Sequence, residues 1–208
     1  MKNTYKTPQE EFWAGEFGND YTERNSQARW IASNIALFSK ILSRTSGISS
    51  VLEFGANRGL NLIALKQVLP EAAFSGVEIN LKAATELGRH GFIKVHHSSI
   101  LEFAPAAPSS FVLIKGVLIH LNPDVLDQVY ELMVKASSRY ICIAEYYNPT
   151  PVAISYRGHA DRLFKRDFAG ELMAKHPSVR LVDYGFAYHG DPNFPQDDLT
   201  WFLMEKAD

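Results

Sequence analysis

Apolar positions in the N-terminal fifth of the chain recur at three- and four-residue intervals, which is typical of amphipathic helices. Residues 7–10 (Thr-Pro-Gln-Glu) form a capping box with proline at the first helical position, so a short helix should begin there. Gly15 and Gly18 interrupt this helix, and residues 19–22 are expected to form a turn. A longer helix is expected from about Ser26 to Ser43. Its buried face should be formed by Ile31, Ile35, Phe38, Ile41 and Leu42.

After residue 48 the pattern changes to short apolar runs that alternate with helical segments. Strands are expected at 50–54, 73–79, 92–97, 111–115, 140–144, 179–188 and 199–206. Helices are expected at 60–69, 81–89, 122–136 and 167–175, after an irregular stretch at 145–166. Apolar strands that alternate with helices predict an α/β fold with a mostly parallel sheet and helices on both faces. The last two strands have no helix between them, so they predict an antiparallel C-terminal hairpin.

Composition and charge narrow the class of protein. The 208 residues are 46% hydrophobic and 21% charged, which suits one domain with an N-terminal helical lid (1–45) and an α/β core (46–208). The formal net charge of −2 predicts no general attraction to nucleic acid or to an anionic membrane. The single cysteine, Cys142, excludes an internal disulfide. Since the sequence has no signal-like segment and no long apolar run, we expect a cytoplasmic protein.

The segment 51–60 (Val-Leu-Glu-Phe-Gly-Ala-Asn-Arg-Gly-Leu) is the strongest candidate for a ligand site. It joins the first core strand to a helix, and ligands of open α/β sheets bind at the carboxyl ends of the strands. Gly55 and Gly59 allow a tight turn and a close approach to a ligand. Their spacing differs from the dinucleotide pattern G-x-G-x-x-G. The carboxylate of Glu53 would repel a phosphate, but it suits a cation or an amine.

Glu78 is the second marker of a ligand site. It ends the next strand, 23 residues after Gly55. A carboxylate at that place can accept hydrogen bonds from both hydroxyls of a ribose. Two alternatives stay open: the loop could be only a tight turn between strand and helix, or it could bind a nicotinamide dinucleotide.

These residues resemble the glycine loop and second-strand acid of the class I S-adenosylmethionine-dependent methyltransferases, over roughly residues 48–206. The resemblance implies a Rossmann-like sheet and S-adenosylmethionine as cofactor, with its amino acid end at the loop and its ribose at Glu78. Asn57 stands where the family has the middle glycine of the loop. Tyr21, with Trp13 and Phe17, is expected to cover the cofactor. The expected cofactor-binding residues are Tyr21, Glu53, Gly55, Ala56, Asn57, Gly59, Glu78, Ile79, Ser98, Ser99, Lys115 and Gly116.

A narrower resemblance rests on three further segments. Residues 11–21 (Glu-Phe-Trp-Ala-Gly-Glu-Phe-Gly-Asn-Asp-Tyr), 145–151 (Glu-Tyr-Tyr-Asn-Pro-Thr-Pro) and 163–168 (Leu-Phe-Lys-Arg-Asp-Phe) are similar to the pseudaminic acid biosynthesis-associated methylase family. The members of that family are small methyltransferases linked to nonulosonic-sugar pathways. The resemblance implies a small polar acceptor, an anionic sugar of this type or its nucleotide-activated form.

Two residues are candidates for catalysis. His120 follows the fourth strand of the core, where an acceptor should approach, and histidine is the commonest general base. It could equally be a histidine packed against the following helix. Tyr146, at the end of the fifth strand, is expected to act beside it. We find no spacing of His, Asp and Glu that indicates a metal site.

Residues downstream of the fifth strand are candidates for acceptor binding. Tyr147 and Asn148 can hydrogen-bond a hydroxyl-rich acceptor, and the cations that follow can bind a carboxylate or a phosphate. These cations are Arg157, Arg162, Lys165 and Arg166. The alternative is a strand end followed by an ordinary solvated surface.

The sequence therefore predicts a methyltransferase that uses S-adenosylmethionine and acts on a small-molecule acceptor. Two other functions remain open. The acceptor could be an amino acid or an amine, or the chain could be a non-catalytic cofactor-binding module of a sugar pathway.

Overall fold

Helices and strands alternate along most of the chain. The computed structural model describes residues 5–24 and 28–207. The strands are β1 (Ser50–Phe54), β2 (Ala73–Glu78), β3 (Ile93–His97), β4 (Ser109–Lys115), β5 (Ser137–Glu145), β6 (Val152–Tyr156), β7 (His159–Lys165), β8 (Val179–Ala187) and β9 (Leu199–Lys206). The α-helices are α1 (Pro8–Ala14), α2 (Glu16–Arg24), α3 (Ala28–Leu42), α4 (Leu60–Val68), α5 (Leu81–Gly88), α6 (Leu126–Ala136) and α7 (Phe168–Lys175). None of the helices in these two ranges is both long enough and apolar enough to cross a membrane.

Seven of the strands form one sheet in the order β3-β2-β1-β4-β5-β9-β8. The pairs among β1 to β5 are parallel, β9 is antiparallel to β5, and β8 is antiparallel to β9. The α/β fold with an antiparallel C-terminal hairpin is therefore confirmed. Because the parallel strands run in one direction, the residues that follow β1, β2, β3, β4 and β5 meet at the same edge of the sheet.

The two faces of the sheet are covered by separate apolar layers, which confirms the prediction of helices on both faces. One layer packs α3 and α4 on the sheet through residues such as Phe38 and Leu62. The other packs α6 and α7 through residues such as Val129 and Leu172. Neighbouring residues of a central strand contribute to opposite layers, as Leu113 and Ile114 of β4 do. This burial on both sides holds the carboxyl ends of the strands in fixed positions.

The capping box at the N-terminus is confirmed, but the turn predicted at residues 19–22 is wrong. The Thr7 side chain accepts a hydrogen bond from the Glu10 amide at 3.2 Å, and a Glu10 carboxylate oxygen accepts one from the Thr7 amide at 3.0 Å. Residues 19–22 lie inside α2. The reason is tertiary packing: the Trp13 ring contacts the Tyr21 ring at 5.2 Å, and this contact outweighs the low helix propensity of the Gly-Asn-Asp run. Ser26 and Gln27, where the next helix was expected to begin, lie outside the described residues.

The irregular stretch expected at 145–166 contains a β-hairpin instead. Strands β6 and β7 pair antiparallel, and Tyr156 lies opposite His159. Arg157 and Gly158 between them both have positive φ angles, of 48° and 84°, which is the geometry of a type I′ turn. The exposed side chains of β6 hid the strand, since an apolar alternation is visible only where one face is buried.

Candidate functional site

A cavity of about 220 Å³ lies at the carboxyl edge of the parallel strands. Its floor is formed by the residues that follow β1, β2, β3 and β4, and its walls include residues of α1, α2 and α3 and of the loop before β9. The parallel order of these strands is therefore what creates the site, as expected for an open α/β sheet.

The glycine loop makes the first part of the floor. Gly55 has a φ of 70°, and a Cβ atom there would lie 2.5 Å from the Val117 side chain. Gly59 has a φ of 86°, and a Cβ atom there would lie 2.6 Å from the Leu87 side chain. Asn57, which stands at the middle position, also has a positive φ of 46°. The loop therefore keeps the left-handed backbone that glycine favours, and it does so with an asparagine at the middle position.

Glu78 lies beside this loop at the end of β2 and is buried. One carboxylate oxygen accepts a hydrogen bond from the Asn57 amide at 2.7 Å, and the other accepts one from the Asn80 amide at 2.8 Å. Burial raises the pKa of this carboxyl, and the backbone hydrogen bonds act in the opposite direction. A carboxylate oxygen has more than one acceptor site, so each oxygen can still accept a hydrogen bond from a ligand in the cavity.

Two further buried acids lie under the cavity floor. Glu53 accepts a hydrogen bond from the Asn61 amide side chain at 2.6 Å through one oxygen, and burial raises its pKa to about 8. Glu145 accepts hydrogen bonds from the amides of Val117 and Leu118 at 2.8 and 2.9 Å, and burial raises its pKa to about 7. The other oxygen of each carboxyl has no hydrogen-bond partner within residues 5–24 and 28–207.

Lys115 ends β4 and lines the cavity. Burial lowers the pKa of its amine, whereas the carboxyls of Glu53, Asp197 and Glu145 raise it. No ion pair within 4.0 Å joins Lys115 to an acid of the described residues. Its amine is therefore available to a ligand in the cavity.

His120 lines the cavity from the 3-10 turn Leu118–His120 that follows β4. Its Nδ1 lies 2.7 Å from the Arg162 carbonyl oxygen, which can only accept, so Nδ1 carries the proton. Burial lowers the pKa of the imidazole to about 4. The ring is held between Trp13 and Tyr156, at ring distances of 4.6 and 4.9 Å. His120 is therefore neutral at pH 7, with an unprotonated Nε2 in a fixed orientation.

The N-terminal helices form one wall of the cavity. Trp13 and Tyr21 line it, and Asn80 connects both helices to the floor. The Asn80 amide nitrogen lies 3.2 Å from the Trp13 carbonyl oxygen and 3.0 Å from the Asn19 side-chain oxygen. At the other end of the wall, the Ser99 hydroxyl donates to the Glu10 carboxylate. The helices are therefore anchored by polar contacts to the loops that follow β2 and β3.

Many of the residues predicted from the sequence meet at this cavity. Those that line it are Tyr21, Gly55, Ala56, Asn57, Glu78, Ile79, Ser99, Lys115, Gly116 and His120. Glu53, Gly59 and Ser98 do not line it: Glu53 lies in β1, Gly59 directly precedes α4, and Ser98 directly follows β3. Tyr146, Tyr147 and Asn148 follow β5 and do not line it.

The cations predicted to bind the acceptor lie on the β6–β7 hairpin and its flanks, outside the cavity lining. Arg166 forms an ion pair with Glu171 at 2.7 Å. The other three lie over aromatic rings: Arg157 over Tyr156, Arg162 over Phe12, and Lys165 over Tyr146. Burial raises the pKa of Tyr146, so its phenol stays protonated. These side chains therefore have intramolecular partners that hold the hairpin in place.

The cavity also contains residues that the sequence did not single out. Asn80 could have been found, because it follows Glu78 closely and caps α5 by accepting a hydrogen bond from the Ala83 amide at 3.0 Å. Asn34 of α3 and Gln196 of the loop before β9 carried no such signal. They come from elements outside the strand-to-helix loops, and tertiary packing alone brings them to the site.

Within the part of the chain that the structure describes, there is no group of three or more His, Cys, Asp or Glu residues placed to hold a metal ion.

Comparisons with known proteins place this geometry in a structural class. No family model and no curated protein matches the sequence. Solved structures do match. A Leishmania major S-adenosylmethionine-dependent methyltransferase has a TM-score of 0.70 at 15% identity, over 95% of this chain and 80% of that one. Burkholderia thailandensis 1,6-didemethyltoxoflavin N1-methyltransferase, with S-adenosylhomocysteine bound, has a TM-score of 0.68 at 16% identity, over 100% of this chain and 94% of that one.

A third match is magnesium protoporphyrin IX methyltransferase from Synechocystis with S-adenosylmethionine bound. Its TM-score is 0.66 at 11% identity, over 99% of this chain and 100% of that one. At such low identity these matches establish the fold. The chain has the fold of the S-adenosylmethionine-dependent methyltransferases, and the likeness extends over nearly its whole length.

Proposed function

We propose that this protein is a methyltransferase that binds S-adenosylmethionine in the described cavity. The observation that carries the proposal is the pairing of Glu78 with the glycine loop. A buried carboxylate and a left-handed loop lie side by side at the ends of adjacent strands and are joined by the hydrogen bond from the Asn57 amide. A nucleoside needs both features at once: an acceptor for its ribose hydroxyls and a backbone without side chains in the way.

The residues that line the cavity fit the three parts of this cofactor. Glu78 accepts hydrogen bonds from the ribose hydroxyls. The loop from Gly55 to Gly59 and the Lys115 amine take the amino acid end, whose carboxylate suits a cation. Ile79, Ser99 and the neighbouring Leu101 supply an apolar wall with one hydroxyl for the adenine. When bound, S-adenosylmethionine supplies an electrophilic methyl group on its sulfonium sulfur.

His120 is the proposed general base for a hydroxyl acceptor. Its Nδ1–H is fixed by the Arg162 carbonyl, and this leaves Nε2 to take the proton that the acceptor loses. Methyl transfer also depends on holding the two reactants in line, and the rings of Trp13 and Tyr156 keep the imidazole in place. A neutral histidine is the required form, because an imidazolium could not accept a proton.

The acceptor is proposed to be a small polar molecule. The sequence resemblance supports a nonulosonic sugar of the pseudaminic acid type, or its nucleotide-activated form, as the specific candidate. The solved structures of the same fold carry names that refer to chemically different molecules, among them plantazolicin, toxoflavin and magnesium protoporphyrin. The fold therefore leaves the choice of acceptor to the residues of each cavity.

The test is a binding titration followed by a transfer assay. In calorimetry we expect S-adenosylhomocysteine to bind and NAD to give no heat; binding of NAD alone would contradict the proposal. Protein, S-adenosylmethionine and nonulosonic sugars are then incubated and analysed by mass spectrometry for a hydrogen replaced by methyl. His120→Gln should lower the transfer rate by roughly 100-fold or more, with the affinity for S-adenosylhomocysteine unchanged. A full rate in that variant would remove His120 as the base.

A further inference from the structure

Two buried side-chain amides meet at one end of the cavity. Asn34 of α3 and Gln196 of the loop before β9 are each 3% exposed, and both line the cavity. The side-chain nitrogen of Gln196 donates one hydrogen bond to the side-chain oxygen of Asn34 at 2.9 Å. Within residues 5–24 and 28–207, the side-chain nitrogen of Asn34 and the side-chain oxygen of Gln196 make no hydrogen bond. The pair thus keeps a donor and an acceptor for a further partner.

Three other cavity residues surround this pair. Trp30 precedes Asn34 by four residues on α3, so both lie on the same face of the helix. Asp197 follows Gln196 and also lines the cavity. The Asp197 carboxylate raises the pKa of the Lys115 amine, which places the two charges within electrostatic reach. Trp30, the two side-chain amides and the Asp197 carboxylate therefore line the same cavity, which Lys115 also lines.

The order of the strands separates Gln196 from Glu78 and the glycine loop. Glu78 ends β2 and the glycine loop follows β1, whereas the loop that carries Gln196 leads into β9. In the sheet, β9 lies three positions from β1 and four from β2. At about 4.8 Å per strand, this is roughly 14 and 19 Å. A nucleoside held at Glu78 therefore leaves the end near β9 to a second ligand, with Lys115 of β4 between them.

We propose that the pair Asn34–Gln196, with Trp30 and Asp197, binds the methyl acceptor, and that this acceptor carries several hydroxyl groups. A hydroxyl both donates and accepts, so it can satisfy the Asn34 amide nitrogen and the Gln196 oxygen together. A protonated amine could only donate to the Gln196 oxygen, and an apolar ring could hydrogen-bond neither group. Either would leave a buried amide group unpaired, at a cost of about 1–3 kcal/mol. The Trp30 ring provides the apolar surface for the C–H face of such a molecule.

The inference rests on the proposed cofactor site, so its test uses protein saturated with S-adenosylhomocysteine. Three sugars serve as probes in saturation-transfer NMR: glucose, N-acetylglucosamine and N-acetylneuraminic acid. Tetrahydropyran, a ring of similar size without hydroxyls, is the negative control. The variant is Asn34→Leu/Gln196→Met, because replacing both partners of a buried hydrogen bond by apolar groups of similar shape can be nearly neutral for stability. Gln67→Met, at an exposed position of α4, is the matched control.

We expect at least one sugar, and not tetrahydropyran, to give a signal with the wild-type complex and with Gln67→Met. The double variant should lower that signal at least about fivefold, the effect of roughly 1 kcal/mol, while its affinity for S-adenosylhomocysteine stays within twofold. Three results would overturn the inference. No sugar binds the wild-type complex, or the signal persists in the double variant. The third is that the double variant binds S-adenosylhomocysteine more weakly but binds 5′-methylthioadenosine as tightly as the wild type does. The last result would assign the pair to the cofactor's amino acid end. Failure of the wild type to bind S-adenosylhomocysteine would instead overturn the proposed function and this inference with it.

Discussion

The Glu78 side chain holds two backbone segments in place and also borders the proposed ribose site. Its two oxygens hold the amide of the glycine loop at Asn57 and the amide at the start of α5 at Asn80. The same oxygens border the cavity, where a ribose is proposed to bind. Because the backbone already orients the carboxylate, a ligand meets it in a fixed position and little side-chain freedom is lost on binding.

The first prediction concerns this carboxylate. Glu78→Gln replaces one oxygen by an N–H₂ group, which faces a backbone N–H and cannot accept a hydrogen bond. The loss of charge-assisted hydrogen bonds worth about 1–3 kcal/mol should lower the affinity for S-adenosylhomocysteine, measured by calorimetry, by about 5- to 150-fold. Glu71→Gln, an exposed acid at the opposite end of β2, removes the same charge and should leave the affinity unchanged. Equal affinities for all three proteins would exclude Glu78 from the site.

At this scale the sequence predicted most of the site residues at the ends of the parallel strands, together with Tyr21 of α2, and it missed Asn34, Asn80 and Gln196. Glu78 and Lys115 were found because parallel strands bring their carboxyl ends to one edge, a rule that needs no knowledge of the packing. Asn34 and Gln196 are 162 residues apart and meet only after α3 packs on the sheet. Nothing in their local sequence distinguishes them from other polar residues of a helix or a loop.

The N-terminal helices, which form one wall of the cavity, are connected to the β6–β7 hairpin. The Gln9 side chain donates to the Asp161 carbonyl at 3.1 Å, and the Phe12 ring contacts the His159 ring at 5.1 Å. Asn80 ties the same helices to the floor. This wall is thus held from two sides, by the hairpin and by the loop that follows β2.

The second prediction separates the two functions of Asn80. Asn80→Asp keeps the oxygen that caps α5 but removes the N–H donors to Trp13 and Asn19. Two lost hydrogen bonds of about 1 kcal/mol each should raise amide exchange in α1 and α2 by about tenfold or more, measured by hydrogen–deuterium exchange. Exchange in α5 should stay unchanged, since aspartate is as good a cap as asparagine.

Asn122→Asp is the matched control for this variant. Asn122 also accepts a hydrogen bond at a helix start, from the Asp124 amide at 3.0 Å, but within the described residues no hydrogen bond joins it to α1 or α2. It should therefore leave exchange in α1 and α2 as in the wild type. If Asn80→Asp and Asn122→Asp gave the same exchange pattern, the anchoring role of Asn80 would be refuted.

Elements with buried faces were predictable from the sequence, whereas the second half of α2 and the β6–β7 hairpin were not. The apolar runs of β1 and β4 are visible because both faces of the sheet are buried. The β6 strand is exposed along most of its length, so its sequence shows no alternation. Its turn did carry a signal: a glycine at the second position of a two-residue connection, where φ must be positive.

Burial raises the pKa of two acids under the site, and this should make the stability of the whole molecule depend on pH. Burial raises the pKa of Glu53 to about 8 and that of Glu145 to about 7, above the ordinary value of 4.5. The folded state therefore binds more protons than the unfolded state between pH 4.5 and these values. By linkage, the free energy of unfolding falls as pH rises through this window. Burial lowers the pKa of His120 to about 4, which acts in the opposite direction below pH 6.5.

The third prediction follows for the range from pH 6.5 to 8.5, where the contribution of His120 is small and is present in both proteins. The ligand-free wild type should lose thermal stability as pH rises, because the buried carboxyl of Glu53 must give up its proton. Glu53→Gln mimics the protonated form, so its melting temperature should fall less over the same range. Each kcal/mol of difference corresponds to about 2–4 °C for a domain of this size, measured by calorimetry. Lys115, whose pKa burial lowers, contributes with the opposite sign and is present in both proteins.

Glu131→Gln, which removes an exposed acid of α6, controls for the change in net charge and should follow the wild-type curve. A wild-type curve as flat as that of Glu53→Gln would show that Glu53 is ionised in the folded protein throughout this range. The carboxylate would then be stabilised by the Lys115 ammonium, since a buried charge needs an opposite charge nearby. Parallel curves would therefore assign an ion pair to the floor of the cavity, and diverging curves assign a neutral carboxyl that becomes charged as pH rises.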